Sequence, residues 1–265
     1  MGRVSKDIDY LYRTICKDLL RAPKVGNTRE LVNVKLRLLD ITNNIVSIRG
    51  LSPSYLLGEL LWYFNGRNDL GFISKFSSFW DGLSDDGKTC NSAYGYRMKY
   101  EFDFDQIEKV IELLKIDPNS RRAVINLNVP NERVIETKDE PCTIALQFLL
   151  RNGKLHCTTM MRSNDIWFGL PYDIAFFTEL QKYIANRLGV KYGEYTHWAT
   201  SLHMYDRDEE KIRVIVENPT SKPISIDSHC LQENYAEIGA LIDRSKEPKI
   251  DVIAVCRNVG VYKEG

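Results

Sequence analysis

Apolar side chains recur at intervals of three and four through residues 7–21, at Ile8, Leu11, Tyr12, Ile15 and Leu19, which predicts an amphipathic helix. The period then shortens to two. Val32-Asn33-Val34-Lys35-Leu36-Arg37-Leu38 alternates apolar and polar residues, the pattern of a half-buried strand over 32–38. Ser52-Pro53 supplies an N-cap and a proline at the first helical position, opening a helix through Leu56, Leu60 and Phe64 that Gly66 stops. Another helix runs from Asp105 to Lys115 and is closed by Asp117-Pro118.

Strands follow at 121–128 and 143–150. Asn152-Gly153 is the dipeptide of a type I′ hairpin and returns the chain as a strand through 154–161. Residues 172–188 read as a strongly apolar helix and 195–205 as a strand; the alternation of Val252, Ala254 and Cys256 predicts a last strand over 250–256. No repeat, low-complexity segment or linker interrupts this order. Strands interleaved with helices predict one mixed α/β (α+β) domain over residues 1–265, a mixed β-sheet with flanking helices.

Composition narrows the function classes. With 43% apolar and 11% aromatic residues the chain can bury a sizeable core, which excludes disorder. Lys plus Arg equals Asp plus Glu at 36 each, so no global charge points to nucleic acid or a membrane surface. An anionic ligand must then be held by a local arginine cluster. The six cysteines are scattered, with no Cys-x-x-Cys pair and no zinc spacing, so no metal is expected. The polar N-terminus lacks a signal core, and no apolar run approaches the roughly 20 residues that span a bilayer. A cytoplasmic protein with reduced thiols is the expectation.

Three features could carry chemistry. Cys142, in Glu140-Pro141-Cys142-Thr143, sits at a loop-to-strand edge where a thiol can face a cleft, although free cysteines usually pack in cores. Arg162-Ser163-Asn164-Asp165 directly follows the 154–161 strand, where a guanidinium fork and a hydroxyl suit an anion. Ser120-Arg121-Arg122 offers a similar set. Adjacent arginines on a strand point to opposite faces, so this pair cannot easily serve one pocket in one subunit; its bland reading is a solvated surface pair. Glu59, among Leu56, Leu57, Leu60, Leu61 and Trp62, either lies on the buried side of its helix with a raised pKa, fit for acid–base work, or faces water.

These segments together resemble the thymidylate synthase family. The matches run in order along residues 50–210: Glu59-Leu60-Leu61-Trp62, Trp80-Asp81, Tyr94-Gly95, Asp117-Pro118-Asn119-Ser120-Arg121-Arg122, Pro141-Cys142, Arg162-Ser163-Asn164-Asp165, Gly169-Leu170-Pro171 and Leu202-His203-Met204-Tyr205. The resemblance implies a three-layer α/β fold and a homodimer formed through sheet faces. It implies that the Cys142 thiolate adds to C6 of a pyrimidine nucleoside monophosphate, so that C5 attacks the methylene of 5,10-methylenetetrahydrofolate. Arg162 and Ser163 would hold the 5′-phosphate, with Arg121 and Arg122 reaching the same phosphate across the dimer. Arg29 would be the N-terminal phosphate arginine. His203 and Tyr205 would contact the sugar, Tyr94, Asn164 and Asp165 would line the nucleotide site, and Trp80, Asp165, Phe168 and Gly169 the folate. Glu59 would orient water and move protons.

Departures from the family pattern bear on the base. Asp173, in Leu170-Pro171-Tyr172-Asp173, stands where synthases carry an asparagine that matches O4 and N3–H of uracil. A carboxyl accepts from the N4 amino group of cytosine and, protonated, donates to N3. Asp173 also reads as an ordinary helix N-terminal aspartate. Thr143 follows the nucleophile where synthases place histidine, and Asn91-Ser92-Ala93-Tyr94-Gly95 is similar to the deoxycytidylate 5-hydroxymethylase branch. The C-terminal Val261-Tyr262-Lys263-Glu264-Gly265 lacks the family's apolar ending, an expected opening for water. The expected reaction converts dCMP, methylenetetrahydrofolate and water to 5-hydroxymethyl-dCMP and tetrahydrofolate. CMP hydroxymethylation, methylation of dCMP or dUMP, and a non-catalytic nucleotide-binding homologue are the alternatives.

Overall fold

The computed structural model of the chain describes residues 2–128, 136–245 and 251–264. The first part of the chain contributes β1 (Gly2–Ser5), α1 (Ile8–Leu19), β2 (Lys24–Val25) and β3 (Thr28–Leu38). Helices α2 (Pro53–Phe64), α3 (Leu70–Ile73), α4 (Tyr94–Lys99) and α5 (Gln106–Ile116) come next. Strands β4 (Val124–Asn126), β5 (Thr143–Arg151), β6 (Lys154–Met161) and β7 (Asn164–Asp165) lead into α6 (Leu170–Leu188) and β8 (Lys191–Tyr205). The chain continues with α7 (Glu209–Glu217), β9 (Ile224–Ile226), α8 (Ser228–Arg244), α9 (Val252–Asn258) and β10 (Tyr262–Glu264).

The main sheet has the order β1-β3-β8-β6-β5-β4, with β2 on β3 and β7 on β8. Its spine is β8, antiparallel to β3 and parallel to β6 and β7. Side chains on a strand alternate between faces, and the burial alternation of β8 changes phase after Ala199. Tyr195, His197 and Ala199 are thus followed by Leu202 and Met204 on the buried face, and His203 and Tyr205 face the other way. The first three are buried, while His203 and Tyr205 are half-buried. One strand therefore supplies core residues along its length and cavity-wall residues at its end. The mixed α/β sheet with flanking helices agrees with the sequence pattern.

Helix α2 is the second determinant. Ser52 caps it by accepting from Tyr55 N–H, and every residue from Leu56 to Phe64 is buried. A helix enclosed on all sides has no solvent face. Glu59 must then be buried too, which removes the reading in which it faces water. The expected hairpin is present, with Asn152 and Gly153 at φ 51° and 70°, both positive as a type I′ turn needs.

Two expectations change. Residues 251–258 are not a strand: Asp251 accepts from Ala254 N–H and caps α9. Val252 and Cys256, read as alternating strand positions, are also four apart, and both bury one face of that helix. Residue 250 lies outside the described residues. The strand expected at 121–128 is only β4, over Val124–Asn126, so Arg121 and Arg122 precede it in a turn, both exposed. Ser120 Oγ accepts from Arg122 N–H, and the Arg121 carbonyl accepts from Gln147 Nε2.

Close contact between α2 and α4 depends on Gly95, where an added Cβ would stand 2.0 Å from the Tyr63 carbonyl oxygen. Gly95→Ala is expected to cost about 2 kcal/mol by overpacking and to lower Tm by roughly 5 °C, read by thermal denaturation.

Candidate active site

A cavity of about 530 Å³ opens where α2, the start of α6, the β6–β7 connection and the end of β8 converge. Glu59, Trp80, Tyr94, Cys142, Arg162, Ser163, Asn164, Asp165, Phe168, Gly169, Asp173, His203 and Tyr205 all line it. Residues spread over nearly 150 positions are thus brought to one place. Arg29, Arg121 and Arg122 are not. Arg29 pairs with Glu209 at 3.3 Å and donates to the Ala22 carbonyl at 3.0 Å, so its guanidinium is engaged away from the cavity. Its position on β3 opposite Met204 of β8 explains this.

Two carboxyls occupy the cavity floor. Glu59 Oε1 accepts from Tyr55 Oη at 2.7 Å, and Trp80 Nε1 donates to the same phenol oxygen at 3.1 Å. Burial pushes the Glu59 carboxyl up to about 8 against the opposing Tyr55 bond, and the charge of Asp173 adds to the rise. Asp173 lies in the first turn of α6, as a helix N-terminal aspartate would, yet its side chain belongs to the cavity. Burial raises it to about 7, while the Asn164 and Tyr94 side chains oppose that shift. Asn164 Nδ2 donates to Asp173 Oδ2 at 2.7 Å. This bond requires Gly169, where an added Cβ would come within 2.7 Å of Asn164 Nδ2.

Cys142 sits immediately before β5, half-buried. Burial pushes its thiol up to about 11, with Arg162 pulling the other way. Arg162 is rigidly held: its N–H donates to the Cys142 carbonyl, Nε to the Pro141 carbonyl at 3.0 Å and Nη2 to the Glu140 carbonyl at 2.7 Å. A guanidinium anchored on two carbonyls keeps its remaining donors for a ligand. At the other side, burial depresses His203 while Asp165 opposes. Tyr205 packs edge-on to His203, and Arg207 lies over the Tyr205 ring at 4.4 Å.

Toward the mouth the walls are flat and aromatic. Phe79 and Phe168 stack at 6.4 Å, and Arg49 lies 4.0 Å above the Trp167 ring. A second cavity of about 360 Å³ shares Tyr55, Phe79, Phe168 and Tyr172 with the first. Asp165 Oδ1 accepts from Trp167 N–H at 2.9 Å. A carboxyl beside aromatic rings suits a heterocycle that carries N–H donors, so these residues fit a reduced pterin with its aryl tail.

Sequence reasoning missed several wall residues. Tyr55 is four residues before Glu59, the helical spacing that could have paired them. Asp139, held by Ser92 N–H at 2.8 Å, and Arg207 also line the cavity, and no local pattern marks either. Among the described residues no cluster of three or more His, Cys, Asp or Glu could hold a metal, and no helix is long and apolar enough to cross a membrane.

The fold built on this long central strand is that of a solved thymidylate synthase. The thermostable thymidylate synthase A of Bacillus subtilis shares it at a TM-score of 0.70 over 84% of this chain and 89% of that one, at 22% identity. The thymidylate synthase family model matches residues 17–250, and the chain belongs to that family. Two curated relatives are deoxyuridylate hydroxymethyltransferases of phages. That of Bacillus phage SP01 is 30% identical over 87% of this chain, and that of Pseudomonas phage M6 is 33% identical over 62%. The chain spans 64% and 48% of their respective lengths.

The raised carboxyls fix the sign of a pH effect. Glu59 and Asp173 hold protons in the folded state up to about 8 and 7, against ordinary values of 4.5 and 3.8. Their stabilising contribution is complete below the ordinary values and is lost as pH rises through 7 and 8. Between pH 5 and 9, Glu59→Gln is expected to lose about 4 kcal/mol less stability than the wild-type chain, read by urea denaturation.

Proposed function

We propose that the protein transfers a one-carbon unit from 5,10-methylenetetrahydrofolate to C5 of dCMP, with water, giving 5-hydroxymethyl-dCMP and tetrahydrofolate. The observation that carries the base assignment is Asp173. Its Oδ2 accepts from Asn164 and the Tyr94 hydroxyl also bonds the carboxyl, so a ligand base would share this edge with Tyr94. A carboxyl that holds a proton near neutrality can donate to N3 of cytosine and accept from the N4 amino group. Held with its proton toward N3, the same carboxyl would set a donor against N3–H and an acceptor against O4 of uracil.

In this reading Cys142 is the nucleophile. Its sulfur bonds C6, electron density moves toward N3, and the Asp173 proton meets the developing charge there, making C5 a carbon nucleophile. Folate supplies the one-carbon group at the methylene oxidation level. After transfer, loss of the C5 proton breaks the carbon–nitrogen bond and releases tetrahydrofolate, leaving an exocyclic methylene; water adds to that carbon, and the sulfur departs from C6 by elimination. Glu59, protonated at neutral pH in a dry pocket, is suited to move protons between water and the reacting groups. Arg162 and Ser163 would take the 5′-phosphate, and His203 and Tyr205 the sugar. Trp80, Phe168, Gly169 and Asp165 would line the folate site.

Arg121 and Arg122 are exposed and outside this cavity, so they could serve the phosphate only from a second copy of the chain. A homodimer is therefore part of the proposal. Addition of water rather than hydride is supported by the phage relatives, both of which carry the name hydroxymethyltransferase. Their names also support a second reading, hydroxymethylation of dUMP, in which Asp173 would meet a different base edge.

Incubating 5-tritiated dCMP and dUMP in parallel, with and without methylenetetrahydrofolate, decides the substrate. Tritium release and a 5-hydroxymethyl product from dCMP are expected; release from dUMP with dCMP inert overturns the base assignment, and a 5-methyl product overturns water addition. Cys142→Ser is expected to lower turnover by at least ~10³-fold while nucleotide binding stays within a few-fold. Binding of dCMP should weaken as pH rises through about 7, because the Asp173 carboxyl loses the proton that N3 needs. Asp173→Asn should abolish that dependence and turn preference toward dUMP, both measured by calorimetric titration.

A further inference from the structure

Behind Asp173 a row of buried polar groups runs into the core. Asn164 donates to Asp173 Oδ2, His197 Nε2 lies 3.0 Å from Asn164 Oδ1, and the Tyr195 hydroxyl lies 2.9 Å from His197 Nδ1. Asn164 is 3% exposed, His197 and Tyr195 1% each. The last two stand behind the cavity wall and do not line it.

Each link joins one donor to one acceptor, so the row has a direction. In the first direction Tyr195 O–H donates to Nδ1, Nε2–H donates to Asn164 Oδ1, and Asn164 Nδ2–H donates to Asp173 Oδ2. In the second all of these reverse, and Asp173 donates its own proton to Asn164. Burial keeps His197 neutral, its pKa pushed down to about 3, so the ring carries one proton and cannot donate at both ends. The Asn164 amide adopts the first direction. That direction keeps the Tyr195 proton inside the row; the second would turn it toward Thr159, the other hydroxyl bonded to Tyr195, so the direction is set by the Asn164 amide.

We propose that His197 is a positioning residue for base selection, fixing through Asn164 which oxygen of Asp173 carries the proton. The proposal rests on the reading of Asp173 given above. With Oδ2 accepting from Asn164, the carboxyl proton belongs on Oδ1, where it can meet N3 while Oδ2 also accepts from N4–H, beside the Tyr94 hydroxyl that bonds the same carboxyl. In the reverse direction the proton is tied up on Asn164, and the ligand meets an edge of acceptors alone. Such an edge cannot bond N3. Glu59, Tyr63, Tyr94, Cys142, Asp165 and Tyr195 are the titratable groups that bear electrostatically on Asp173. Only Tyr195 among them belongs to the row, so a change at His197 reaches Asp173 through Asn164.

The test uses His197→Phe, Tyr195→Phe and His197→Gln, each checked for fold by circular dichroism and melting. His197→Phe removes the donor to Asn164; Tyr195→Phe leaves the imidazole but frees the direction; His197→Gln returns an amide N–H. The ratio of kcat/KM for dCMP to that for dUMP is expected to fall ~10-fold in His197→Phe, less in Tyr195→Phe, and to recover largely in His197→Gln. In the ligand-free protein the Asp173 carboxyl carbon resonance, assigned by its loss in Asp173→Asn, should titrate at higher pH in His197→Phe, since a fixed N–H no longer favours the carboxylate. A ratio within about twofold of wild type in folded His197→Phe and Tyr195→Phe overturns the proposal, and so does an unmoved carboxyl titration. Wild-type turnover of dUMP with dCMP inert would defeat the reading of Asp173 instead. The carboxyl titration then judges the row by itself, a moved midpoint supporting it and an unmoved one ending it.

Discussion

Withdrawal of ionisable groups from water governs this site. Glu59 and Asp173 would both be anions in solvent, and Cys142 would ionise more readily. Enclosure by α2 and α6 reverses that preference, so the ligand-free cavity is close to neutral, with Arg162 at its edge. A flat, polar, uncharged ring can enter such a space without meeting a strong field, while its charged end is left at the arginine. The cost is borne by the fold: two protonated carboxyls in a dry pocket need partners, and Tyr55, Asn164 and Tyr94 supply them.

Much of the architecture was legible in the sequence because its signals are local. The Asn152-Gly153 turn, the Ser52-Pro53 helix start and the two-residue period of β3 each depend on a few adjacent residues. The α9 segment misled because Val252 and Cys256 satisfy a four-residue spacing and a two-residue spacing alike. Arg121 and Arg122 fall outside the strand expected at 121–128 because β4 is short and begins after them. Arg29 misled because its partner, Glu209, lies 180 residues away. The cavity-facing positions of Cys142, Glu59, Arg162 and Asp173 agree with the ordered motifs of the family. His197, Tyr195 and Asp139 carried no motif, since only β8 and the 139–142 loop bring them near the others.

Membership of the thymidylate synthase family settles the fold and leaves the base open. Within the proposed reading, the base is chosen by a single carboxyl and its amide neighbour, while thiol, arginine and aromatic walls are indifferent to it. The phage relatives named for deoxyuridylate are compatible with that division. A shared reaction core can serve either pyrimidine if the discriminating atoms are few and lie at one end.

The length of β8 has a geometric corollary. His197 and His203 are six residues apart on one extended strand, a separation of about 20 Å fixed by backbone pitch. His197 behind the cavity wall and His203 and Tyr205 on it are therefore graduations on one rigid gauge. Side-chain changes can alter what is read at either mark. Only an insertion or a register slip in the strand could change the span between them, and such a slip would invert the face of every residue beyond it.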